Sequence, residues 1–444
     1  MTLIDIETVE AIRRDHGIAF APVETGRNLL TRGVPLNHLV GRSFRVGETV
    51  LFGERLNVPC NYLELLGKPV YTPLLNRSVL NCRIVRSGVI RPAVIVRPDR
   101  FDQASKTRSP YHGSTDSEQL PGETPQMYPI FDLLNGSRVT ASYVEQCLAQ
   151  GVVAIHITVN NFSAVNPLPT LRDSLKELAA CRAHYRSLAQ VTRLVECFAD
   201  FEKASSEGKL AVVLGYQNVP GVARDLKIIE LFRDLGVRVI QIAHNIRNLY
   251  GDGCAEPADA GLSTLGRELV SELNLLGIVI DISHAGERTG LEAIELSEYP
   301  VTATHANAYG VCGNLRNKRD PTLDALKKNA GVIGLCYLTP LVRMGGVKLR
   351  HADMAAHVEY VRKRIGTEHI GIGSDFIADQ PAERYAEFLK KPEIYGVWPW
   401  RFPVADPEDQ QRFLASLGEL GLSEQEIRAI ARDNFMRVFE KIIH

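Results

Sequence analysis

No apolar run in the chain approaches the roughly 18 to 20 residues that a membrane-spanning helix needs, so no span is expected. The opening MTLIDIETVEAIRRDHG has no basic stretch leading into an apolar core, so no secretory signal is expected. Charge of one sign is lacking too: 51 Lys and Arg stand against 52 Asp and Glu. That balance leaves no basic footprint for nucleic acid or an anionic membrane surface. Cysteine is sparse, eight scattered residues with no Cys-x-x-Cys pair and no dense framework, so no disulfides are expected. These absences point to small-molecule chemistry by a cytoplasmic protein with reduced thiols.

What is present is 444 residues, 45% hydrophobic and 23% charged, enough for a barrel-sized domain and a smaller one. The composition changes near residue 97. RPDRFDQASKTRSPYHGSTDSEQLPGETPQ is rich in Pro, Ser, Asp, Gly and Thr and carries hardly any apolar residue, so a linker is expected over 98–127. Before it, FRVGETVLFG, NCRIVRSGVI and PAVIVRP are short β-like runs between turn residues, which predict a small β-rich domain over 1–97.

From 128 to 444 the pattern alternates. Strand-like runs occur at 128–134, 152–159, 210–215, 237–243, 277–283, 300–305, 331–337 and 369–375. Between most of them lie stretches such as TLGRELVSELNLLG, apolar at i, i+3, i+4 with Gly at the stop. Eight buried strands alternating with helices predict an α/β fold, a (β/α)8 TIM barrel. A doubly wound open sheet is disfavoured because YQNVPG, not a Gly-rich phosphate turn, follows residue 215.

Active sites in such barrels sit at the C-terminal ends of the strands. Those ends carry Asn135, Asn160 and Asn161, Gln217, His244, His284, His305, Tyr337 and Asp375. A single strand-end His is more often structural than functional. Three His and an Asp on one rim instead suggest imidazole ligands for a zinc-like ion and a carboxylate base for its water.

GLSTLGRELVSELNLLGIVIDISH (261–284), PVTATHANAYGVCGNLRNKRD (300–320), HIGIGSDF (369–376) and LSEQEIRAIARDNFMRVFE (422–440) together resemble the membrane dipeptidase (renal dipeptidase) family of metallopeptidases. The resemblance implies a metallo-dependent hydrolase barrel with two metals. It gives His284 and His305 as metal ligands, Asp375 as the acid/base and His244 as the oxyanion support. Arg316 would be the partner of the substrate carboxylate, a role suited to a planar, bidentate donor.

The first strand departs from this pattern. Where the family has Asp-Gly-His-Asn-Asp, this chain has Asp132, Leu133, Leu134, Asn135 and Gly136. Both first-strand ligands are therefore lost, and the bridging Glu is replaced by Gln217, a weak neutral donor. A binuclear centre is not expected; at most one divalent ion, zinc, is. The expected activity is metal-assisted hydrolysis of an amide or related bond in a small carboxylate-bearing substrate, a dipeptide or amino-acid derivative. A non-catalytic ligand- or partner-binding descendant and a metal-independent lyase or isomerase are the alternatives, and a homodimer is compatible with all of them.

TGRNLLTRGVPLNHLVGRSFRVGETVLFGERLNVPCNYLELLGK (25–68) and RSVLNCRIVRSGVI (77–90) resemble the later part of MOSC domains. There the Cys of a Pro-Cys motif, here Cys60, is proposed to carry sulfur or molybdenum. The family's opening stretch is absent and its late Gly-Asp is replaced by Pro92 and Ala93, so the module looks truncated. No basic residue lies nearer to Cys60 in sequence than Arg55, and molybdenum is not assigned.

Overall fold

The computed structural model describes residues 2–16, 29–34, 36–39, 42–56, 79–86, 90, 96–98, 127–159, 168–344, 349–378, 380 and 402–443. Cys60, Asn160, Asn161 and nearly all of the expected linker lie outside them. The chain divides into two compact units, Met1–Leu120 and Pro121–His444.

The first unit has six strands, β1 (Thr2–Asp5), β2 (Leu29–Thr31), β3 (Ser43–Val46), β4 (Thr49–Leu56), β5 (Val79–Arg86) and β6 (Val96–Pro98), in the order β2-β1-β5-β4-β3-β6. A helix, Ile6–His16, follows β1, its first turn tied by the Thr8 amide donating to Asp5 Oδ1 at 2.6 Å. The hairpin between β3 and β4 closes at Val46 opposite Thr49, and Gly47 takes the positive φ of 61° that its two-residue turn needs. Alternation along β3 buries Phe44 and Val46, which join Leu3, Leu36, Leu51, Leu80 and Cys82 in the core of this unit.

The second unit contains β7 (Ile130–Asp132), β8 (Val152–Thr158), β9 (Thr192–Leu194), β10 (Leu210–Tyr216), β11 (Val237–Gln241), β12 (Val279–Asp281), β13 (Thr302–Ala306), β14 (Val332–Leu335) and β15 (Ile370–Ile372). The sheet runs β11-β12-β13-β14-β15-β7-β8-β10-β9, and a further β10–β11 pairing closes it. All its pairings are parallel, so eight strands form a closed (β/α)8 barrel with β9 as a short extra strand alongside β10. Each expected strand run is present, most of them shortened at their ends, while β10 extends to Tyr216 and β13 to Ala306. The extra strand β9 was not expected: three residues, Thr-Arg-Leu, are too few to show a periodicity.

The helices begin where the sequence supplies caps. Thr140, Thr170, Ser263, Asp406 and Ser423 each accept from the amide three residues on. Inside the barrel, Phe131, Leu133, Ala154, Val213, Val239, Val279 and Val332 share one core cluster with Phe435 and Phe439 of the C-terminal helix Asn434–Ile442. The Phe439 and Phe435 rings meet Phe131 edge-on at 5.2 and 6.3 Å. Gly371 makes that plug fit, since a Cβ there would lie 2.0 Å from the Phe435 ring.

Two seams of the barrel carry a single ladder pair each, Ile372–Asp132 between β15 and β7 and Asp281–Thr302 between β12 and β13. Each is stitched by a buried carboxylate. Asp132 accepts from the Ser374 amide at 2.8 Å and its hydroxyl at 2.5 Å. Asp281 accepts from the Ser283 hydroxyl at 2.6 Å, the Thr304 amide at 3.0 Å and the Thr304 hydroxyl at 2.8 Å. Burial pushes the Asp132 carboxyl up to about 6, against the lowering effect of its Ser374 partners.

Candidate active site

The C-terminal ends of β11, β12 and β13 bring three of the expected residues into contact. His244 stacks on His284 with ring centroids 4.0 Å apart and planes 20° from parallel. His284 Nε2 faces His305 Nε2 at 2.8 Å. All three rings are buried.

The neighbours of the two facing imidazoles fix their tautomers. His284 Nδ1 lies 2.7 Å from Asn245 Oδ1, an acceptor, so Nδ1 carries the proton and Nε2 a lone pair. His305 Nδ1 lies 2.8 Å from Thr304 Oγ1, whose own proton goes to Asp281. His305 is therefore also the Nδ1–H form. In these tautomers the two Nε2 lone pairs are turned towards each other. A proton is disfavoured, because burial and then the nearby Arg316 guanidinium hold both imidazoles well below their ordinary range.

Arg316 is 2% exposed. Its guanidinium donates to the carbonyl of Ser283 and, at 3.0 Å, to that of His305. Lys318, equally buried, donates through Nζ to the carbonyls of Ile282 and Ala285 at 2.7 and 3.2 Å. Asp375, half-buried after β15, takes a positive φ of 57°, a conformation that is costly for a residue other than Gly and that clusters at functional sites. Its amide donates to the Leu134 carbonyl at 2.8 Å, and Cys336 Sγ lies 4.0 Å from its Oδ2. Gln217, half-buried past the end of β10, accepts at its main-chain carbonyl from the side-chain Nε2 of Gln241. Tyr337 packs away from the rim, its ring against Phe376 and Phe413, and Cys336 takes the inward position.

Leu134 is fully buried. A Cβ on Gly136 would lie 3.1 Å from the Phe376 carbonyl and 4.0 Å from Asp375 Oδ1, so a side chain at 136 would stand beside the Asp375 carboxylate. Among the described residues no group of three or more His, Cys, Asp or Glu is arranged to hold a metal ion. Among the described residues, the two ring nitrogens that converge, Nε2 of His284 and of His305, are donors of a kind that would suit a single divalent ion.

Four residues around the site escaped the reading of strand ends. Asn245, also at positive φ, accepts from His284 and from Cys254 Sγ. Lys318 and Cys336 sit inside motifs whose other residues drew attention. His156 shares the inner face of β8 with Ala154 and Thr158, which the period-two alternation could have revealed. Its Nδ1 is 2.8 Å from the Leu133 carbonyl, and its buried Nε2 has no hydrogen-bond partner among the described residues. Gly215 leaves room for it, since a Cβ there would lie 2.1 Å from Nε2.

A cavity of about 140 Å³ is walled by Cys254, Glu256, Gly286, Glu287 and Lys318 among others. No described helix is long and apolar enough to cross a membrane.

Comparison with known proteins agrees with this fold. Dipeptidase tcpJ of Claviceps purpurea is 30% identical over 219 residues, 49% of this chain and 52% of that protein. An uncharacterized dipeptidase of Schizosaccharomyces pombe is 32% identical over 216 residues, 47% and 52%. The chain thus spans about half the length of the curated relatives it matches. Among solved structures, an amidohydrolase from Pseudomonas aeruginosa superposes with a TM-score of 0.64 at 27% identity, over 71% of this chain and 97% of that one. A Rhodobacter sphaeroides metallopeptidase, solved with a phosphinate mimic of the dipeptide L-Ala-D-Ala, shares the fold at TM-score 0.58 and 20% identity, over 71% and 100%. The family model for membrane dipeptidase, peptidase family M19, matches residues 128–393. With its closed parallel barrel and its histidines gathered at the strand ends, the chain belongs to the membrane dipeptidase family.

Proposed function

We propose that the protein hydrolyses an amide or related bond of a small carboxylate-bearing molecule, a dipeptide or amino-acid derivative, with at most one divalent ion, zinc, held by His284 and His305. The facing Nε2 lone pairs, 2.8 Å apart with both Nδ1 protons committed elsewhere, carry this reading. Relatives that are dipeptidases support it. The amide oxygen of Gln217 would be a weak third donor.

A bound ion would polarise the scissile carbonyl and acidify a water molecule. Asp375 would accept the proton of the attacking water and return it to the leaving nitrogen. His244, stacked on His284, would donate to the developing oxyanion. Arg316 would offer the substrate carboxylate those of its five N–H groups that the two main-chain carbonyls leave over. Asn245 and Thr304 would keep the imidazole lone pairs aimed at one point. The missing anionic ligands predict weak ion binding, since no protein charge offsets the desolvation of a dication.

His284→Ala tests the proposal: metal content and turnover of a dipeptide panel should disappear together. Turnover persisting in a metal-free His284→Ala protein would overturn it. A non-catalytic, ligand-binding descendant is the second reading, favoured by the two cations, Arg316 and Lys318, buried beside the pair. It predicts no hydrolysis even with added zinc, while a bound ligand still raises Tm.

A further inference from the structure

We infer that Lys318 is a positioning residue for the imidazole pair, acting through the main chain on either side of His284. The inference shares with the proposed function only the premise that this pair is the working part of the site. The main chain of Lys318 belongs to the β13 side: its amide donates to the Asn307 carbonyl at 2.8 Å, and its carbonyl accepts from Tyr309 at 2.9 Å. Its side chain crosses to the β12 side, where Nζ grips Ile282 and Ala285, one carbonyl before and one after the Ser283–His284 pair. Arg316 adds a second crosslink, from the Ser283 carbonyl to that of His305.

The strand ladder does not set the spacing of these two histidines. β12 and β13 share one ladder pair, Asp281–Thr302, below the rim. Above it, besides Asp281 and its Ser283 and Thr304 partners, the crosslinks between the two strand ends include Lys318 and Arg316. An ammonium buried to 3% exposure is expensive to desolvate. Burial, and then the adjacent Arg316 charge, lower it to about 8. Glu287 and Asp281 offset part of its charge from a distance, but its hydrogen bonds go to main-chain carbonyls, so its placement follows the main chain that carries His284.

A methionine of similar length removes the donors, and arginine or glutamine keeps some. In metal-free protein, long-range proton–nitrogen NMR of the ring nitrogens reads the tautomers directly. Wild type should show His284 and His305 as single Nδ1–H forms, and Lys318→Met should show both averaged between tautomers. Zinc affinity by chelator competition should fall about tenfold or more in Lys318→Met. Lys318→Arg should restore it to within about threefold, with Lys318→Gln between. Where Lys318→Met does not fold, Lys318→Gln carries the same comparison.

Unchanged ring signals together with unchanged or tighter zinc binding in the folded variant would overturn the inference. A structural role alone would lower Tm and leave the ring signals of the folded protein as they are, which counts against it too. Should wild type bind no zinc, the proposed function fails while the NMR comparison still decides the role of Lys318.

Discussion

Asn245 Oδ1 lies 2.7 Å from His284 Nδ1 and accepts its proton, from a backbone in the left-handed region, φ 63°. Asn and Asp tolerate that conformation better than other residues with a side chain. Asn245→Ala therefore loses both the acceptor and the tolerance, and should weaken zinc binding about 10- to 100-fold. Asn245→Asp, which keeps an acceptor and the backbone, should stay within a few-fold. Isothermal titration of both variants checks the pair, and equal losses in the two would count against the tautomer assignment.

Gln217→Glu returns a charged donor to the end of β10. If the Gln217 side chain faces the ion, affinity should rise by at least about tenfold, because an anion now offsets part of the dication's desolvation. Dialysis against graded zinc followed by elemental analysis measures it. No gain would remove Gln217 from the ligand set.

Stability should fall on acidification. Burial lowers His156, His284, His305 and His357 from the ordinary 6.5, the last to about 4. Below about 6.5 the unfolded chain takes up protons that the folded one refuses, and each such group costs up to about 1.4 kcal/mol per pH unit. Asp132 acts in the opposite sense. Raised to about 6, its contribution is full below the unfolded value near 3.8 and is lost as pH rises through 6. Four histidines against one carboxyl predict a lower urea midpoint at pH 5 than at pH 7. A midpoint that rose would contradict the burial of the imidazoles.

Ser374→Ala should destabilise the barrel by about 2 kcal/mol, the range for a lost hydrogen bond to a buried charge. The Ser374 hydroxyl is 2.5 Å from Asp132 Oδ2 and spans a seam with one ladder pair. Thermal or urea unfolding measures it, and a change within about 0.5 kcal/mol, the usual surface value, would show the seam to be held otherwise.

The barrel was legible because its signals are local: apolar runs such as LAVVLG, caps such as Ser263, and Gly at helix stops. Strand ends could be counted from there, so His244, His284 and His305 could be expected on one rim. Their ring contacts then depend on cross-strand distances that no sequence spacing fixes. Lys318 was illegible for the same reason, because its partners are main-chain carbonyls 33 and 36 residues away. Cys336 in place of Tyr337 is a matter of phase: a one-residue error in where a strand faces inward exchanges the two. β9 shows the lower limit, since three residues carry too little pattern to be read.

Asp132 stands two residues before Leu134, in the stretch where the resemblance to the dipeptidase family implies metal ligands. Its carboxylate fastens the last strand of the ring to the first, much as a hoop fastens staves. A chain built this way can give up chemistry at 134 and 136 at little risk to its shape, but not the acid at 132. Part of what looks inherited from a catalyst in that stretch is carpentry, and an inventory of lost and kept residues should weigh the two separately.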